Sequence, residues 1–277
     1  MKVRGNTSRG DYLLDSDRCD PYTNAELTIT LRLGFRQINP TGGAQQGTYH
    51  DYGRSQEKSR KIVSWTDSAW VAWIGAFISS ASNYWDRRFW LVNNFSEMEF
   101  DARGVRYRPN IDCRFELLGE QAAGGNYHHI IDVVKLDQSE RWFGSNAVLY
   151  DNRDLMIAPK GYDKTGKPFL QVAHVHEIGH LLGLEHVDVG KPHCRVGSNT
   201  NAAACYGAND EDKRNLMGRG IALKSEHAMP WRRAMYVLTG KGSLASNVDW
   251  APMRLRIFPR TTLEAAAGKQ IMSRPIR

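Results

Sequence analysis

The chain has 277 residues, of which 41% are hydrophobic and 24% charged, and its formal net charge is +7. That balance is ordinary for a globular protein and leaves room for one large domain or two small ones. No apolar run approaches the roughly 20 residues that span a bilayer, and no interleaving of basic and aromatic residues marks a nucleic-acid surface.

Residues 1–24 are polar and read as an irregular arm, and Met1-Lys2-Val3-Arg4-Gly5-Asn6 has no apolar core like that of a signal peptide. From 25 to 35 the chain alternates: Leu27, Ile29, Leu31 and Leu33 fall on one face of a half-buried strand. Residues 37–60, rich in Gly, Gln and Ser, read as a long loop. Thr66 or Asp67 can cap a helix that runs to about Trp85, with Trp70, Trp73, Ile74, Phe77, Ala81 and Tyr84 at helical spacing on its core side. Further strands are expected at 89–92, 112–118, 127–136 and 145–151. His128 and His129 are neighbours on one of these strands, so they point to opposite faces and do not readily share an ion. A second helix is expected to begin near Pro168 or Phe169.

This second helix carries His176-Glu177-Ile178-Gly179-His180-Leu181-Leu182-Gly183-Leu184-Glu185-His186. His176 and His180 are four residues apart, one turn above each other on one face. Glu177 lies beside the first of them, within reach of a water on the same ion. Gly183 can adopt the left-handed conformation that ends a helix, which lets the chain return His186 to the same point. Three histidines with one open position make a catalytic arrangement for one Zn2+ ion, because a structural site uses a fourth protein ligand. His174 is two residues before the first ligand, on nearly the opposite face, and is not counted among the ligands.

These eleven residues resemble the His-Glu-x-x-His-x-x-Gly-x-x-His signature of the metzincin metalloproteases. The resemblance implies an α+β fold with a twisted, mostly parallel sheet, a backing helix and the active-site helix. Residues 25–187 would form the upper catalytic subdomain. Residues 188–240 would form a smaller, irregular lower one, flanked by the arm at 1–24 and a basic tail at 241–277. The strand at 145–151 would be an exposed edge along which an extended protein or peptide substrate binds. The resemblance also implies a methionine in a tight turn beneath the metal, which Met217 in Asn215-Leu216-Met217-Gly218 fits as a packing floor. Two residues beyond it, where some metzincin groups have a tyrosine, stands Arg219. Val187 follows the third histidine, where the subfamilies differ, and matches none of their familiar choices. The implied activity is that of a zinc endopeptidase, a hydrolase of peptide bonds with Glu177 as general base toward an activated water. Two alternatives remain open: a secreted effector that acts on a narrow substrate such as a cell-wall peptide, and a zinc-containing binding module without turnover, which has no use for Glu177.

Beyond the motif, residues 188–214 read as a loop that walls the cleft, with His193 at its surface. The four cysteines, Cys19, Cys113, Cys194 and Cys205, form no Cys-x-x-Cys pair. Their even number allows two disulfides in three connectivities. Cys194 and Cys205 flank a short Gly/Asn/Ala-rich loop, which leaves Cys19 for Cys113; the alternative is four reduced thiols. The bridges would imply secretion or another export route into an oxidising compartment. A helix is expected at 224–238, with Pro230 inside it or at its start, and helical signals return at 262–267. From 254 onward Arg254, Arg256, Arg260, Lys269, Arg274 and Arg277 stand against Glu264 alone. A monomer is expected.

Overall fold

The structure, a computed structural model, describes residues 2–17, 19, 24–93, 100–102, 105–197, 199–240, 250–253, 262–264 and 270–271. In chain order the strands are β1 (Lys2–Thr7), β2 (Gly10–Asp15), β3 (Ala25–Ile38), β4 (Gln46–His50) and β5 (Ser59–Val63), followed by helix α1 (Asp67–Trp85). Next come β6 (Phe89–Asn93), β7 (Phe100–Ala102), β8 (Val105–Arg108), β9 (Ile111–Gln121), β10 (His129–Val134), β11 (Leu149–Asp151), β12 (Ile157–Tyr162) and β13 (Pro168–Val172). The chain closes with α2 (Ala173–Leu181), α3 (Asp210–Arg214), α4 (Met229–Thr239), β14 (Trp250–Met253), β15 (Thr262–Glu264) and β16 (Gln270–Ile271). The architecture is α+β with a mixed central sheet and, among the described residues, no closed barrel. Two compact units are present: Met1–Leu31, Tyr84–Glu116 and Lys224–Arg277 form one, and Arg32–Asn83 and Leu117–Leu223 form the other.

In the first unit β1 and β2 make an antiparallel hairpin, and β2 pairs antiparallel with the start of β3. The irregular arm expected at 1–24 is therefore a hairpin for most of its length. Tyr12 and Leu14 turn inward while Asp11, Leu13 and Asp15 face outward, a two-residue period short enough to escape notice among polar neighbours. Trp231 of α4 is fully buried between Trp85 and Phe89 and donates its indole N–H to Arg114 O at 2.8 Å. Thr262–Glu264 pairs with β8, so the helical signal there gives way to a strand; 265–267 lie outside the described residues. Most of the basic tail, including all seven of its cationic residues, also lies outside them. No bridge joins Cys19 to Cys113. Cys113 sits fully buried in β9 with its Sγ 3.9 Å from Ile111 O, behaving as a small apolar core residue.

In the second unit β10 runs parallel to β3 on one side and to β11 on the other. Helix α1 packs behind them. Thr66 Oγ1 accepts the Ala69 N–H at 3.3 Å, as an N-cap should, and Trp70, Trp73, Phe77 and Ala81 are buried at helical spacing. The Phe77 ring lies 5.1 Å from Phe35 on β3, 5.3 Å from Tyr150 on β11 and 5.1 Å from His174 on α2. One side chain thus ties the sheet to the second helix, and burial of each such ring contributes on the order of 2–3 kcal/mol. The loop expected at 37–60 is a second hairpin, β4 with β5. Its turn is fixed by buried Asp51, which accepts Arg60 Nη2 at 2.8 Å and the Gly144 N–H at 2.9 Å. Helix α2 begins at Ala173, not at Pro168, because 168–172 are already paired antiparallel with β12.

Asp112 of β9 is buried, with Oδ1 unpartnered and Arg87 Nε no closer than 3.8 Å to Oδ2. Burial raises its pKa from 3.8 to about 6, against the opposing pull of Arg87 and Arg114. Between those two values the folded state holds a proton that the unfolded state has lost, so stability falls as pH rises through this window. Asp112→Asn removes the titration. Its stability relative to wild type should therefore grow from pH 4 to pH 7 by up to about 3 kcal/mol, read from urea denaturation at several pH values; a difference that does not change with pH would refute the assignment.

Candidate metal centre

Helix α2 has no side-chain cap at Val172. Its first turn is satisfied by Asp154 O, which accepts the backbone N–H of His174 at 3.2 Å and the His174 Nδ1–H at 3.1 Å. Burial holds His174 neutral, with its pKa down to about 4, and its Nε2 faces no polar partner beside Phe77. His174 therefore anchors the back of the helix. At the other end Gly183 takes φ 87° and donates to His180 O at 2.8 Å, and Leu184 N–H reaches Gly179 O at 2.9 Å. This left-handed close turns the chain back along the helix.

His176, His180 and His186 come together. Their candidate ligand atoms all lie within 4.8 Å of one another, and His180 Nε2 is 3.2 Å from His176 Nε2 and 3.0 Å from His186 Nε2. The opposite ring nitrogens decide what these contacts mean. His176 Nδ1 lies 2.7 Å from Leu216 O, His180 Nδ1 2.8 Å from Leu184 O, and His186 Nδ1 2.7 Å from Thr200 O. A carbonyl oxygen only accepts, so each Nδ1 carries the proton and each Nε2 presents a lone pair. The Gln171 amide nitrogen is 3.1 Å from His176 Nδ1, but it donates to Gly218 O at 3.0 Å and does not displace the shorter Leu216 bond. Burial lowers the pKa of all three rings, to about 4 for His186, and keeps them neutral. Three lone pairs that converge at hydrogen-bond distance repel unless a cation lies among them. The donor set therefore fits a metal ion, and fits the closed tautomers that metal-ligating imidazoles need.

Glu177 is half-buried beside this cluster. Burial, with help from the Asp154 carboxylate, pushes its pKa up to about 8 through protein groups alone. A divalent cation held by the histidines would act in the opposite direction and favour the carboxylate. Asp154 is itself pushed up to about 7, by burial and then by Asp151, while Ser145 Oγ donates to it at 2.5 Å.

Met217 is buried. Its N–H donates to Asn215 Oδ1 at 2.8 Å, and its carbonyl accepts the Val187 N–H at 3.1 Å. The turn thus touches the site twice, through Leu216 O on His176 and through Met217 O on the residue after His186. Asn215, fully buried, was not singled out from the sequence, since an Asn before an apolar residue has no distinctive signal.

Residues 188–214 are more ordered than the expected loop. A disulfide joins Cys194 to Cys205, with Cα atoms 5.2 Å apart, and α3 occupies the end. Asp188 is completely buried and accepts from Lys191 Nζ, from His193 Nε2 at 2.8 Å and from Ala208 N–H at 2.6 Å. Burial pushes its pKa up, but the hydrogen bonds from Lys191, His193 and Ala208 outweigh it, and the net shift is downward. His193 is exposed, as expected, and its ring also reaches Asp188. Next to the bridge, Tyr206 lays its ring over His186, with centroids 3.8 Å apart. Burial, reinforced by Glu177, raises its phenol to about 12, so it stays protonated.

These groups line a cleft of about 770 Å³ whose far wall carries Tyr52 and Trp142. Only Leu149–Asp151 of the expected 145–151 strand is a strand, and it is buried; the residues of that stretch that border the cleft are Ser145, Asn146 and Ala147. No helix of the described residues is long and apolar enough to cross a membrane. No protein-family model, curated protein or solved structure matches the chain.

Divalent metal should raise the melting temperature of wild type, and His180→Ala should abolish that shift; an equal shift in both proteins would exclude this centre. Asp188→Asn removes the buried carboxylate that accepts from Lys191, His193 and Ala208, and leaves Lys191 with Asp212 alone. It should cost about 1–3 kcal/mol in chemical denaturation and weaken metal binding through the Thr200 carbonyl.

Proposed function

We propose that this chain is a zinc endopeptidase of the metzincin type. The observation that carries the reading is the set of three locked tautomers. Three neutral imidazoles aim their Nε2 atoms at one point, leave at least one side open to the cleft, and have a carboxylate at the next residue. A site meant only to hold metal for structure closes with a fourth protein ligand. Zinc supplies a Lewis acid that polarises a carbonyl and makes a water nucleophilic near neutral pH.

The remaining steps belong to the chain. Glu177 takes the proton of the attacking water as general base and returns it to the leaving amine as general acid. Leu184, Leu216 and Thr200 hold the imidazoles at fixed orientation, so no reorganisation is needed during the reaction. Tyr206 covers His186 from the cleft side and keeps solvent from its ring. The substrate lies extended along Ser145, Asn146 and Ala147, which border the cleft, in the role expected of the whole 145–151 strand. The Cys194–Cys205 bridge supports export to an oxidising compartment.

The test is zinc content together with cleavage of an unfolded protein, for wild type and Glu177→Gln side by side. One zinc per chain in both, with turnover reduced by about 10²–10⁴ in the variant, is expected. Full activity of Glu177→Gln would refute the mechanism. Zinc in both with cleavage by neither would favour a binding module or a narrow, cell-wall type of substrate.

A further inference from the structure

Arg219 stands between Gly218 and Gly220, and this short turn is tightly mounted in the cleft wall. A Cβ at Gly218 would meet Asp212 O at 2.4 Å and Tyr206 O at 2.9 Å; one at Gly220 would meet Arg214 O at 2.0 Å. Only glycine fits at either place. The Arg219 N–H donates to Lys213 O at 2.8 Å and the Gly220 N–H to Asn215 O at 3.1 Å. The single side chain that this fixed turn offers to the cleft is Arg219.

The guanidinium is half-buried and lines the same cleft as the three histidines. Space has been left for it: a Cβ on Gly161, which has φ +130°, would sit 3.3 Å from Arg219 Nη1. Four other cations of this unit pair with carboxylates, in Arg36–Asp132, Arg60–Asp51, Lys191–Asp188 and Arg214–Asp163, while Arg54 and Lys160 line the same cleft without an ion pair among the described residues but do not stand between two glycines. Among the described residues Arg219 has no carboxylate partner, and Glu57 and Glu185, which also line the cleft, are not within ion-pair range of it. Its charge is felt by the Tyr206 phenol, whose upward shift it opposes. A half-buried cation without a counter-charge is costly, and a divalent ion in the same cleft makes it more so. A planar fork of five donors matches one incoming group best, a carboxylate bound through two parallel hydrogen bonds.

We propose that Arg219 is the specificity-determining residue of the cleft, and that it binds a carboxylate of the substrate peptide beside the metal. The ligand class is thus acidic peptide. The carboxylate comes either from an Asp or Glu side chain or from the free end of the chain. The inference rests on the peptidase reading only in taking the ligand to be a peptide.

The experiment uses the full zinc-loaded chain and two sets of matched peptides. In one, both ends are blocked and an internal Asp or Glu is compared with Asn or Gln. In the other, a neutral peptide carries a free or an amidated C-terminus. Wild type gives kcat/KM, and Glu177→Gln gives binding by calorimetry. At least about tenfold preference for the carboxylate member of one set is expected in both readouts, and that set identifies the source. In Arg219→Gln the ratio should fall to near one, and in Arg219→Glu it should invert toward Lys-containing peptides. A ratio taken within one variant does not depend on the fraction folded. Equal handling of acids and amides by wild type, or a preference that Arg219→Gln retains, overturns the proposal. Discriminating binding without any cleavage would uphold Arg219 and remove the peptidase; cleavage without discrimination would do the reverse.

Discussion

The centre depends on three hydrogen bonds that do not involve the ligand atoms at all. Each imidazole gives its Nδ1 proton to a backbone carbonyl, and this alone makes the three Nε2 atoms into acceptors that face one another. The three carbonyls come from three separate places: Leu184 just past the helix, Leu216 in the methionine turn, and Thr200 in the disulfide-bridged segment. A neutral imidazole has one proton to place. Once it is committed to the outside, the inside is left electron-rich, which suits a cation among the three nitrogens.

What surrounds the site follows from keeping those carbonyls still. Gly183 sets Leu184 by allowing a left-handed turn where any other residue would be strained. Asn215 sets Leu216 by capping the turn from within. Thr200 has no sheet or long helix to fix it, so its segment is held by the Cys194–Cys205 bond and by buried Asp188 with its three donors. Helix α2 is only nine residues long, too short to persist alone. Its rigidity comes from behind, where His174 and Phe77 join it to the aromatic packing of α1 and β3.

How far the sequence could be read follows from the same physics. Spacing encodes what is local: two histidines one turn apart, a glycine at the break, a third histidine after it, and the aromatic stripe of α1. Pairing partners are not encoded this way. The β1–β2 and β4–β5 hairpins have one wet face each, so their alternation is diluted by polar residues. The stretch 168–172 is a short apolar run, equally compatible with helix and strand until β12 is seen to pair with it. Cys113 looked available for a bridge because composition does not reveal that a thiol is sealed in a strand. Above all, the carbonyls of Leu184, Thr200 and Leu216 carry no residue-type signal, because every residue has one. The three converging histidines were legible; the groups that orient them were not.

The charge balance of the cleft joins the proposed chemistry to the proposed specificity. The ligands are neutral, so a divalent cation keeps its full charge, and Glu177 is the carboxylate placed beside it. The buried acids nearby are occupied elsewhere: Asp188 is saturated by Lys191, His193 and Ala208, and Asp154 is held by Ser145 and the Asp151 N–H, with its pKa raised to about 7. With those acids turned away, a divalent ion held by the histidines would polarise a carbonyl more strongly than one among carboxylate ligands. Glu57, Glu177 and Glu185 line the same cleft, yet none forms an ion pair with Arg219 on its fixed turn. The proposed carbonyl chemistry at three neutral histidines thus stands beside an unpaired guanidinium, for which an acidic peptide would supply the partner.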